Sequence, residues 1–141
     1  MATTDSECLL VDRSGPVWVV RLNRPDALNS FDSELHLRFG AMWAEVEQSS
    51  EVRAVVLTGN GRAFSAGGNL DDFELFRVDH AERRKAMRTA RRLVDEMLNV
   101  HVPVVAAVNG PAVGLGATLM TLCDIVFIAD NTLSRWALAP R

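Results

Sequence analysis

Two apolar runs, residues 52–58 and 104–108, dominate what this chain can become. Both are rich in Val and lack the polar–apolar alternation of a half-exposed strand, so they read as strands buried on both faces. Each ends in a glycine-bearing bend, Gly59-Asn60-Gly61 or Asn109-Gly110-Pro111, and each is followed by a small-residue loop and a helical pattern. Strand, glycine loop, helix, repeated, is the signature of an α/β fold with covered sheets.

The remaining elements fit that frame. Residues 8–11 and 17–22 read as short strands joined by Arg13-Ser14-Gly15-Pro16, whose Gly and Pro suit a turn. From Phe31 a helical period begins, with Leu35, Phe39, Met42, Trp43 and Val46 on one face and Asn29 or Ser30 as the expected cap. A second helix is expected over 80–99, with Met87, Ala90, Val94, Met97 and Leu98 as its apolar stripe. Pro103 stops it. A short helix over 115–122 and a strand over 125–129 follow. No internal repeat or low-complexity segment is visible.

With 141 residues, 48% hydrophobic and 23% charged, the chain can build one ordinary globular core. A net charge of −3 and the absence of Tyr argue against a nucleic-acid surface. No apolar stretch reaches membrane-spanning length, so no membrane partner is expected. Cys8 and Cys123 match no metal spacing and read as two free thiols. The polar start, residues 1–7, has no basic, apolar leader pattern, which makes cytoplasmic placement the expectation. The three His, at 36, 80 and 101, form no triad or metal spacing, and no metal is expected.

The two glycine loops carry the chemistry. They are Phe64-Ser65-Ala66-Gly67-Gly68-Asn69-Leu70 and Asn109-Gly110-Pro111-Ala112-Val113-Gly114-Leu115-Gly116. Small residues let a ligand approach the backbone, and amides at a helix start have no internal partner and sit at the positive end of the helix dipole. Brought together, two such loops could donate two N–H groups to one oxygen, as in an oxyanion hole. Taken singly, each loop could equally be a tight connection. Neither ends in Gly-Lys-Ser/Thr, and Gly114-x-Gly116 alone does not make a dinucleotide site.

In register along the chain, four segments resemble the crotonase (enoyl-CoA hydratase/isomerase) superfamily. They are Leu22-Asn23-Arg24-Pro25-Asp26-Ala27-Leu28-Asn29; Val55-Val56-Leu57-Thr58-Gly59 with Ala63 through Leu70; Pro103 through Gly110; and Cys123-Asp124-Ile125. The resemblance implies a crotonase-like spiral of ββα units, incomplete here, with residues 1–131 as the N-terminal part of the acyl-CoA-binding core and 132–141 as an atypical tail. It also implies an enolate-like anion held by the backbone N–H groups of Ala66 and Leu115. Arg24, Ala27, Leu28, Ala66, Gly67, Gly68, Asn69, Leu70, Gly114 and Leu115 would line the substrate, whose coenzyme A moiety is part of the substrate and not a separate cofactor. Leu115 stands where the family often has Gly; the amide survives the change. A homo-oligomer, trimer or hexamer, is what the family implies, an expectation weakened without its C-terminal helices.

The family's hydratases carry a Glu shortly after the second loop. Thr118 occupies that position here, and a hydroxyl is no general base at neutral pH. A second carboxylate follows in a Pro-Glu context; Leu138-Ala139-Pro140-Arg141 resembles it with Arg in place of Glu, but too early in the chain. A non-acid at 118 and Phe73 after Asn69-Leu70 resemble the isomerase branch, in which one carboxylate can shuttle a proton between C2 and C4 of a 3-enoyl-CoA. Isomerase ancestry is therefore preferred to hydratase. Three outcomes are expected to compete: an enoyl-CoA isomerase or hydratase, with little turnover from these residues alone; a truncated, inactive acyl-CoA-binding or subunit-pairing chain; or a reading-frame slip after Asp130.

Other charged residues get structural readings. Asp71, Asp72 and Glu74 suit the first turn of a helix. Arg83, Arg84, Lys85, Arg88, Arg91 and Arg92 form an exposed basic face, with contacts to CoA phosphates as the functional alternative. Asp124 ends one element and enters the next. Ser65 has no nucleophile-elbow context and is read as a loop residue.

Overall fold

The computed structural model describes residues 8–130. Five strands form one sheet in chain order: β1 (Leu9–Asp12), β2 (Val17–Leu22), β3 (Ala54–Gly59), β4 (Val104–Val108) and β5 (Ile125–Ile128). β1 and β2 are an antiparallel hairpin, and the β2–β3, β3–β4 and β4–β5 pairs are parallel. Parallel neighbours need crossovers, and helices supply them. They are α1 (Ser33–Gln48), α2 (Leu70–Val78), α3 (His80–Asn99) and α4 (Leu115–Leu122). A single 3-10 turn, Pro25–Ala27, follows β2.

The core lies between the sheet and α1 with the C-terminal half of α3. Leu35, Phe39, Met42, Trp43 and Val46 are the buried face of α1, and α3 adds Leu93 and Met97. Phe31, Phe39 and Trp43 stack edge-to-face in sequence, with ring centroids 5.4 and 5.6 Å apart. From the sheet come Val20, Leu22, Val55, Leu57, Val104, Ala106 and Val108.

Because β3 and β4 are parallel neighbours, their following loops leave the same edge of the sheet. That edge, the carboxyl end of parallel strands, is where α/β folds bind ligands. The loops are tied there by Asn109, whose Nδ2 donates to the carbonyl of Gly61 at 2.9 Å and whose Oδ1 accepts from the Gly59 N–H at 3.0 Å.

Several expectations need revision. α1 is capped by Asp32, whose carboxylate accepts from the Leu35 N–H at 2.9 Å, and not by Asn29 or Ser30. Asn29 is instead fully buried. α2 has no range in the sequence pattern, but Asp71 and Asp72 sit in its first turn as expected, and Asn69 caps it. The α3 stripe is turned, because Met87 and Leu98 are exposed and Leu93 is buried. The sheet is not covered throughout: Ile125, Val126 and Phe127 of β5 face solvent in the described residues. The tail, 132–141, and the expected boundary at 131/132 lie outside the described residues. No described helix is long and apolar enough to cross a membrane.

Candidate functional site

Ser65 and Ala112 form an isolated parallel bridge, so the two glycine loops run side by side. The Phe64 and Ser65 N–H groups donate to the Pro111 carbonyl at 3.1 and 3.2 Å, and Val113 N–H donates to the Ser65 carbonyl at 2.9 Å. Gly67, at φ +92°, is pressed against the second loop: a β-carbon there would lie 2.6 Å from the Val113 carbonyl oxygen and 3.1 Å from the Leu115 nitrogen. Only a residue without a side chain permits this approach.

The two amides singled out in the sequence differ in state. Leu115 opens α4, so its N–H has no partner within the helix, and it donates to no acceptor among the described residues. The Ala66 N–H donates to the Leu28 carbonyl at 2.8 Å. Hence one amide is open and the other is held by the loop that follows β2. Any ligand oxygen using both must share or displace Leu28.

That loop is itself firmly set. Leu28 and Asn29 both adopt positive φ, 51° and 55°, which non-glycine residues rarely do. Arg24 does not point outward. Its guanidinium pairs with Asp32 at 2.9 Å and bonds the Ser30 carbonyl, so its charge is spent on the loop. Ala27 is exposed and Leu28 half-buried. Past the loop, Gly68 lies under the Phe73 ring, and Leu70, Phe73 and Val113 are exposed apolar side chains around the bend. Gly114 takes φ +55° immediately before α4.

Thr118 is exposed and its hydroxyl donates back to the Gly114 carbonyl at 3.2 Å. Nearby, burial and the neighbouring Asp124 charge push the Cys123 thiol up to about 12. Asp124 is structural as expected, accepting the Val104 N–H at 2.8 Å. On the basic helix, Arg92 pairs with Glu96 and Lys85 with Glu82, as on an exposed face. His36 contacts the Phe31 ring and the Asp32 carbonyl. Neither Cys8 nor Cys123 is in a disulfide. Among the described residues no three His, Cys, Asp or Glu come together as a metal site.

Three polar residues that organise this region had other readings in the sequence: Asn29 as a helix cap, and Ser65 and Asn109 as loop residues. Asn29 and Ser65 are fully buried. Their signal was a polar residue among apolar and glycine neighbours, with no other reason to be there.

An α/β chain whose parallel strands deliver two contacting glycine loops to one sheet edge, with an open helix-start amide between them, is a frame for binding an anionic or polarised oxygen. The sequence model of the enoyl-CoA hydratase/isomerase family matches residues 12–139, and the chain belongs to that family. It is 38% identical over 117 residues to the 1,2-epoxyphenylacetyl-CoA isomerase of Escherichia coli, covering 82% of this chain and 45% of that protein. It is 35% identical over 124 residues to the short-chain-enoyl-CoA hydratase of Clostridium acetobutylicum, covering 87% and 47%. The crystal structure of an enoyl-CoA hydratase/isomerase from Mycobacterium paratuberculosis superimposes with a TM-score of 0.85 at 42% identity, over 92% of this chain and 52% of that one. The chain thus spans about half the length of these relatives.

Proposed function

We propose that this chain supplies the acyl-thioester-binding, oxyanion-stabilising part of an enoyl-CoA isomerase or hydratase. The observation that carries the reading is the open Leu115 N–H beside Gly67, on a helix start at the sheet's carboxyl edge. A thioester oxygen placed there would accept from Leu115 and, by exchange with the Leu28 carbonyl, from Ala66. Negative charge gathers on that oxygen when a proton leaves C2 of an acyl-CoA, and one well-placed donor is worth about 2.7–4 kcal/mol at that point. The apolar side chains of Leu70, Phe73 and Val113 suit a hydrocarbon acyl chain. Ala27, Leu28 and 66–70 offer backbone to the CoA arm, while Arg24 serves by fixing the loop.

Thr118 offers a hydroxyl already bonded to Gly114, so it supplies no base. That favours the isomerase reading, in which a single carboxylate moves one proton from C2 to C4. One of the relatives above is named a short-chain-enoyl-CoA hydratase, so the hydratase reading stays beside it.

Leu115→Pro tests the reading. Proline is well tolerated at the first position of a helix, so the substitution deletes the donor and keeps the α4 start. The expected result is saturable acyl-CoA binding by the original chain with a lowered thioester carbonyl stretch, and loss of most of that lowering in the variant. An unchanged carbonyl stretch in the variant, or no acyl-CoA binding by the folded original, would overturn it.

A further inference from the structure

We propose that Phe73 is a specificity-determining residue for the acyl group, with its ring seated on Gly68. The inference rests on the acyl-thioester reading above and adds which side chain selects the hydrocarbon beyond the thioester.

The ring takes the place of a side chain that Gly68 lacks. A β-carbon on Gly68 would lie 3.1 Å from Phe73 Cζ, 3.4 Å from Cε2 and 4.0 Å from Cε1, its three nearest neighbours. The residue before it, Gly67, is the one whose β-carbon would come within 3.1 Å of the Leu115 nitrogen. The ring edge therefore rests one residue along the loop from the contact with the open amide. Phe73 is 55% exposed, and Leu70 and Val113 are exposed on the same bend. An exposed aromatic ring there gains by covering hydrocarbon and gains little from the polar CoA arm.

The ring can move and the loop cannot. α2 buries no side chain, and the aromatic neighbour of Phe73 is Phe76 of the same helix, edge-to-face at 6.3 Å. The loop backbone is tied on both sides of Gly68. Phe31 N–H donates to the Gly67 carbonyl at 2.7 Å, and Asn69 N–H donates to the Phe31 carbonyl at 3.0 Å. Further back, Asn29 Nδ2 donates to the carbonyls of Asn60 and Ala63, both at 2.9 Å. Gly68 is not among the positive-φ glycines, so its backbone accepts a side chain. A methyl group at 68 thus leaves the loop in place and pushes the ring aside.

Titration of the full chain with octanoyl-CoA and with acetyl-CoA tests this. The CoA arm is common to both, so the ratio of the two affinities isolates recognition of the acyl chain. The original chain should prefer octanoyl-CoA. Phe73→Ala should cut that preference about tenfold, the contribution of about two buried methylenes, and leave acetyl-CoA affinity within about twofold. Alanine favours the helix, and the ring is no part of the core, so the unfolding midpoint should hold. Gly68→Ala should also cut the preference, by displacing the ring. With the ring already gone, the double variant should lose nothing beyond Phe73→Ala, the non-additivity of two groups in contact. In the original chain, Phe73 ring protons should show nuclear Overhauser contacts to octanoyl methylenes.

An unchanged preference in Phe73→Ala overturns this inference alone, as does equal binding of both ligands by the original chain. Losses that add in the double variant overturn it too, and so does an equal loss of acetyl-CoA affinity, which would assign Phe73 to the CoA arm or to folding. No saturable octanoyl-CoA binding by the original chain overturns the acyl-thioester reading, and this inference with it.

Discussion

A β-carbon on Gly67 would come within 3.1 Å of the Leu115 nitrogen, so the first glycine loop reaches the amide that opens α4. Gly67→Ala should therefore fail twice. Its φ of +92° disfavours any side chain, and the new methyl meets the Val113 carbonyl at 2.6 Å. A loss of about 2 kcal/mol or more in denaturant unfolding is expected, with weakened acyl-CoA binding. Gly15→Ala is the control. It has open space around it and should change stability by no more than about 0.5 kcal/mol.

Trp43 is 2% exposed, and its indole N–H has no hydrogen-bond partner. An orphaned buried donor costs about 1–3 kcal/mol, which offsets part of what the ring contributes by packing. Trp43→Phe should accordingly cost only about 1 kcal/mol, whereas Trp43→Ala should cost about 3–5 kcal/mol. Chemical denaturation of both variants checks the difference. Equal losses would mean that the N–H is satisfied in solution.

Cys123 donates its thiol proton to the Leu119 carbonyl at 3.2 Å, and its pKa is raised from 9.0 to about 12. The folded state thus prefers the protonated thiol. The associated stability is complete below pH 9, declines as the unfolded thiol ionises, and is lost as pH rises toward about 12. Two measurements check this. Alkylation of Cys123 at pH 8 should be slow in the folded chain and fast in denaturant, and Cys123→Ala should flatten the stability curve above pH 9.

Much of the frame was legible in residue order. The apolar runs gave β2, β4 and α4 with the bounds found, because each run is broken at both ends by Gly, Pro, Asn or Asp. Beyond the acids of its first turn, the extent of α2 was not legible, because it buries no side chain and no core-facing period marks it. Its caps, Asn69 and Asp79, were the available signal. The α3 stripe was misjudged because only its C-terminal half packs on the core; Met87 lies on the part that stands free. At the site, proximity of the two loops followed from the strand order. The occupied Ala66 N–H did not, since its acceptor lies 38 residues earlier in a bend made by two positive-φ residues. Asn29 looked like a cap and is a clamp, and only tertiary packing separates those roles.

Amide chemical shifts during titration with a saturated acyl-CoA are the most direct measurement. The Leu115 and Ala66 resonances should move downfield together and saturate with a common affinity, while amides of the basic α3 face move little. Binding that leaves both resonances in place, or that shifts α3 instead, would contradict an acyl-thioester site at the meeting of the two loops.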